Sequence, residues 1–149
     1  MIKELILTAG ICSVLQPDLS KDKMSLSNDI VYEEMAPQED VDLLARCITA
    51  EMGYNQEPYV YYLAGYVVWN RMKSDDFPDY LVDVIYQDGQ YQCTWNGHIE
   101  REPDDVALDV ANDLLLNGTN IPEDVVFQAE FKQGNGTYEY INNTYFCYK

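Results

Sequence analysis

The chain has 149 residues, 47% of them hydrophobic, which suits one globular domain with a core of its own. Its 26 acidic residues against 9 basic ones give a net charge of −17 and a pI near 4.1. That balance argues against a nucleic-acid binder held by phosphate contacts, and against polybasic adhesion to anionic membranes or wall polymers. A neutral ligand bound through hydroxyls and amides is compatible with it.

Residues 1–15 carry one lysine, Lys3, and an apolar run from Leu5 to Leu15. The run has the length of a signal-peptide core and is too short to span a membrane. Glu4 spoils the positive start, no good small-x-small site follows Leu15, and Cys12 lacks the small residue a lipoprotein site wants before it. A short apolar helix packed on the domain is the competing reading. Gln16–Met35 is polar and acidic without clear periodicity, and reads as a linker. The expected organisation is an N-terminal segment and linker over 1–36 and one domain over 37–149.

From Gln38 to Met52, Val41, Leu44, Ala45 and Ile48 fall on one stripe of a helix. Pro37 stands before it, Glu39 and Asp40 lie in its first turn, and Gly53 follows as a C-terminal cap. Glu51 comes seven residues after Leu44, so it sits on the apolar stripe in the last turn. Loss of water and the negative end of the helix dipole both raise its pKa above the ~4.3 of a free glutamate. A glutamate still protonated near neutral pH is what glycoside cleavage asks of a general acid.

Pro58 opens a second helix, with Val60, Leu63, Ala64, Val67, Val68 and Arg71 on a broad apolar face and several tyrosines beside it. Asn70 and Arg71 are expected to tie its end to neighbouring backbone. A short helix after Pro78 carries Leu81, Val84 and Ile85 inward. In the polar and aromatic stretch Gln87–Gly97, Gln90, Tyr91, Trp95 and Asn96 form an amide-plus-aromatic group suited to N-acetylated sugars. Asp104–Leu116 reads as another helix, stopped by Gly118. Val125–Phe131, Thr137–Ile141 and Thr144–Tyr148 read as strands, the last two joined at Asn142-Asn143 in a tight hairpin.

The four cysteines lack any C-x-x-C spacing and there is one histidine, His98, so neither a metal site nor a cofactor is expected. Cys47 reads as a packed thiol, with a Cys47–His98 peptidase arrangement as an alternative. Cys93 and Cys147 are the candidate disulfide in an oxidising compartment.

Four words occur in order: Leu44-Ala45-Arg46 with Ala50-Glu51, Val68-Trp69-Asn70-Arg71, Phe77-Pro78, and Val84-Ile85-Tyr86-Gln87-Asp88-Gly89-Gln90-Tyr91. Over about Glu39 to Lys149 the chain resembles the SleB-type cell wall hydrolases, the group of the spore cortex-lytic enzymes. The resemblance implies an α+β fold, a lysozyme-like or transglycosylase-like helical domain with a small antiparallel sheet. It also implies Glu51 as the catalytic acid, and a "GQ[FY]" word bordering the substrate groove. The implied reaction is cleavage of peptidoglycan between N-acetylmuramic acid and N-acetylglucosamine, by a lytic transglycosylase with one glutamate. A two-carboxylate muramidase is the variant, with Asp75, Asp76, Asp88 and Glu100 as possible partners. An acidic interaction protein that mimics nucleic acid is the alternative of another class. The expected partner is the glycan strand, met by a monomer, with no nucleic acid and no membrane span. Action at the wall implies export, or release during phage lysis.

Overall fold

Residues 35–149 are described by a computed structural model; the apolar run, Cys12 and most of the acidic linker lie outside the described residues. Five helices precede a three-stranded antiparallel sheet: α1 Gln38–Met52, α2 Pro58–Lys73, α3 Leu81–Ile85, α4 Cys93–Asn96, α5 Asp105–Asn117, β1 Val125–Ala129, β2 Gly136–Ile141 and β3 Thr144–Tyr148. A 3₁₀ turn, His98–Glu100, links α4 to the approach of α5. The α+β class expected from the sequence is the one found.

α2 forms the centre. Val60, Tyr61, Leu63, Ala64, Gly65, Tyr66, Val67 and Val68 are all buried, so the helix is enclosed on nearly every side. α1, α5, α3 and β1 pack around it. α1 buries the stripe Val41, Leu44, Ala45 and Ile48, with Cys47 and Thr49 beside it. Gly65 lets α5 approach closely, because a Cβ there would stand 2.4 Å from Leu114 Cδ1. Asp104 caps α5 by accepting the Val106 N–H at 2.9 Å.

β3 is the central strand, in the order β1-β3-β2. Ala129 lies opposite Tyr145 on one side, and Tyr140 lies opposite Tyr145 on the other. Asn142 and Asn143 connect β2 to β3 with φ of 49° and 62°, the paired left-handed conformations of a tight hairpin turn. The Asn142 side chain donates to Gln56 Oε1 at 2.8 Å, which seats the hairpin on the turn between α1 and α2.

Candidate active site

Several bonds fix the end of α1. Gly53, with φ of 82°, donates its N–H to the Thr49 carbonyl at 2.8 Å. Its own carbonyl accepts the Tyr61 hydroxyl at 2.9 Å. Thr49 Oγ1 accepts the Asp104 N–H at 3.1 Å, and Asp104 Oδ2 accepts the Asn55 N–H at 2.8 Å. The last turn of α1 therefore has no freedom to fray, and the side chain of Glu51 is held half-buried.

The opposite wall is set from α2. Asn70 Nδ2 donates to the carbonyls of Pro122 and Val125 at 2.9 and 3.0 Å. Arg71 Nε donates to the Val126 carbonyl at 2.8 Å. These bonds hold β1 so that Gln128, Ala129 and Glu130 face α1 and α4 across a groove of about 330 Å³. Glu51 lies in the lining between Ala50 and Met52, and Gln92, Cys93, Asn96, His98 and Thr144 complete it. The tie from Asn70 and Arg71 to backbone is the structural role expected from the sequence.

Burial raises the pKa of Glu51 above its ordinary value. Opposing this, the thiol and then the backbone N–H of Cys93, the Gln128 amide and the positive charge of Arg71 favour the ionised form. Gln128 Oε1 is buried without a hydrogen-bond partner among the described residues. The Arg71 guanidinium is itself buried, between the rings of Phe77 and Tyr91 at 5.0 and 5.2 Å, and its Nη1 has no partner among the described residues. The groove thus presents Glu51 as a carboxyl whose acid form is favoured by burial, with groups beside it that favour its anion.

A cell wall hydrolase family model matches residues 57–147. The chain belongs to the cell wall hydrolase family. The fold of this cell wall hydrolase is similar to the crystal structure of the catalytic domain of the Bacillus cereus SleB protein, with a TM-score of 0.64 at 18% identity. The match covers 74% of this chain and 91% of that one. No curated protein matches. Glu51 precedes the residues matched by the family model, so its candidacy in this hydrolase rests on the geometry above and on the words that surround it. Family membership also sets aside the reading of the chain as a nucleic-acid mimic.

Of the other residues singled out in the hydrolase sequence, Asn96 lines the groove and Trp95, next to it, is 59% exposed outside the lining. Gln90 is exposed on the preceding turn and does not line the groove. Tyr91 is a correction: at 1% exposure it packs in the core against Arg71 and cannot touch a glycan. Cys93 lies beside Cys47, and Cys47, Cys93 and Cys147 are all buried free thiols. The hydrogen bond to Cys93, then burial, pushes the Cys47 thiol well up, the opposite of an activated nucleophile, which removes the peptidase arrangement. Asp75, Asp76, Asp88 and Glu100 stand outside the groove lining, whereas Glu130 is in it. Glu130 and Gln128 carried no signal in the sequence beyond membership of a β-branched and aromatic run.

Proposed function

We propose that this hydrolase cuts the peptidoglycan glycan strand between N-acetylmuramic acid and N-acetylglucosamine as a lytic transglycosylase, with residues 37–149 as its catalytic domain. The observation that carries the reading is a half-buried carboxyl, Glu51, whose pKa is raised by burial at the floor of an open groove. In its acid form Glu51 gives a proton to the glycosidic oxygen as the bond from that oxygen to C1 of the muramic acid breaks. The resulting carboxylate then takes the proton of the muramic acid 6-hydroxyl, whose oxygen bonds to C1 and closes a 1,6-anhydro ring. No water is consumed. Burial favours the acid needed for the first half, and the Cys93 and Gln128 donors stabilise the anion formed between the halves. Asn96, in the groove lining, is the proposed contact for an acetamido group, with the exposed ring of Trp95 beside it. The chain works at the wall after export or after release in phage lysis.

Glu130 favours a second reading. It places a second acidic side chain in the same groove, exposed to the solvent from which an attacking water would come. In that case the enzyme is a muramidase. Digestion of purified peptidoglycan in oxygen-18 water, with the products weighed, separates the two. Anhydro ends, one water lighter and free of label, support the transglycosylase; reducing ends carrying the label refute it.

A further inference from the structure

A second hollow, of about 220 Å³, adjoins the groove and shares Ala50 and His98 with it. Ala50 immediately precedes Glu51, so the hollow lies one residue away from the carboxyl that the proposed cleavage uses. Its other walls include Arg46, Tyr54, Arg101 and Glu102. Two of the six lysines and arginines among the described residues thus stand in one small depression, in a chain whose net charge is −17. The bond cleavage itself uses neither.

The two arginines differ in what holds them. Arg46 is committed to the fold: its Nε donates to Asp42 Oδ2 at 2.6 Å, and its Nη1 donates to the carbonyls of Glu100 and Arg101 at 3.1 and 2.7 Å. The Tyr54 hydroxyl donates to the Glu102 carbonyl at 2.7 Å. The backbone on both sides of the Arg101 side chain is therefore pinned to α1 and to the turn that follows it. The Arg101 guanidinium itself is exposed, with no hydrogen-bond or ion-pair partner among the described residues. Glu102, the acid that shares the hollow, has its Oε2 3.7 Å from Arg46 Nη2 and so leans toward the other guanidinium. A guanidinium offers a planar fork of N–H donors that matches the two oxygens of a carboxylate. Here one such fork stands free on fixed backbone beside the groove.

We propose that this hollow is a subsite for the substituent of muramic acid, with Arg101 pairing with a carboxylate of that substituent. The occupant follows from the chemistry of the strand. Each muramic acid carries a lactyl ether on C3, which ends in a carboxylate or, where a stem peptide is attached, in a peptide with carboxylates of its own. The ring that bears it is the ring whose C1 is cut, so the substituent leaves the strand beside Glu51, where the hollow adjoins the groove. N-acetylglucosamine has no such group. This inference rests on the proposed cleavage of glycan and adds to it a residue that tells muramic acid from N-acetylglucosamine at the cut.

The test compares Arg101→Gln with the parent on three soluble glycan preparations of matched length. One carries its stem peptides, one has been stripped to the lactyl carboxylate by an amidase, and one has been stripped and its lactyl carboxylates converted to neutral amides. On a carboxylate-bearing strand the variant's KM should rise roughly three- to tenfold with kcat within about twofold, and on the neutral strand KM should stay within about twofold of the parent. A rise confined to one of the two carboxylate-bearing preparations identifies the occupant as the stem-peptide or the lactyl carboxylate. A KM unmoved on both, or a rise as large on the neutral strand, overturns the subsite while leaving glycan cleavage standing. A parent that cuts none of the three overturns glycan cleavage and the subsite with it.

Discussion

Replacing Glu51 by glutamine should abolish activity and, at neutral pH, make the protein more stable. The amide keeps size and hydrogen bonding but has no proton to give, so turnover should fall by about 10² to 10⁴. The stability effect follows from the environment of the carboxyl. Burial raises its folded-state pKa above the ordinary 4.5, so the folded protein holds that proton more tightly than the unfolded chain does. For a raised carboxyl the associated stability is full below the unfolded value. It is lost as pH rises through the window up to the folded value. Glutamine has no such loss. The two proteins should therefore melt alike near pH 4, and the variant should gain progressively above it until the folded pKa is passed. Each pKa unit corresponds to about 1.4 kcal/mol, and in a domain of this size one kcal/mol moves Tm by about 3–6 °C, so the plateau of the Tm difference reads the shift directly. Calorimetry from pH 4 to 8, alongside muropeptide release, makes the measurement. Activity within tenfold of the parent, or a Tm difference that does not change with pH, would refute the account of Glu51.

Asn70→Ala should destabilise the fold by about 2–4 kcal/mol in denaturant unfolding, since it strips the carbonyls of Pro122 and Val125 of their donor. Tyr91→Ala should cost about 3–5 kcal/mol as a core deletion, whereas Trp95→Ala, at an exposed site, should stay within about 0.5 kcal/mol of the parent in the same assay. Cys93→Ala removes a thiol that favours the Glu51 anion, so the pH at which activity falls on the alkaline side should move up, while Cys93→Ser should hold it near the parent position. A pH profile for both variants checks this; a drop in Tm with an unmoved profile means that the thiol only packs.

The helices were legible where local chemistry decides them. The stripe of α1 and the prolines and glycines at its ends and at the start of α2 set the boundaries found at Gln38, Met52 and Pro58. The same periodicity put Glu51 on the apolar side of a helix end. Tyr91 was misread because a tyrosine after a glycine turn has the same local signature whether it faces a groove or slides under Arg71. The wall of Gln128 and Glu130 was invisible for a related reason: it comes to face α1 only through the bonds from Asn70 and Arg71 to backbone more than fifty residues away. Cys93 comes to lie beside Cys47 through the same kind of distant packing, which spacing along the chain does not encode.

The strand order has a consequence for when the candidate groove is complete. Glu51 is synthesised early, but β1 lies beside β3, and β3 comes last of the three strands. Until β3 has emerged from the ribosome, β1 has no strand to pair with and the groove wall opposite Glu51 has no sheet behind it. A domain that folds as a unit during translation in this order completes its candidate groove only once β3 has been made. Nascent chains and fragments that stop short of β3 carry Glu51 without the sheet behind the facing wall.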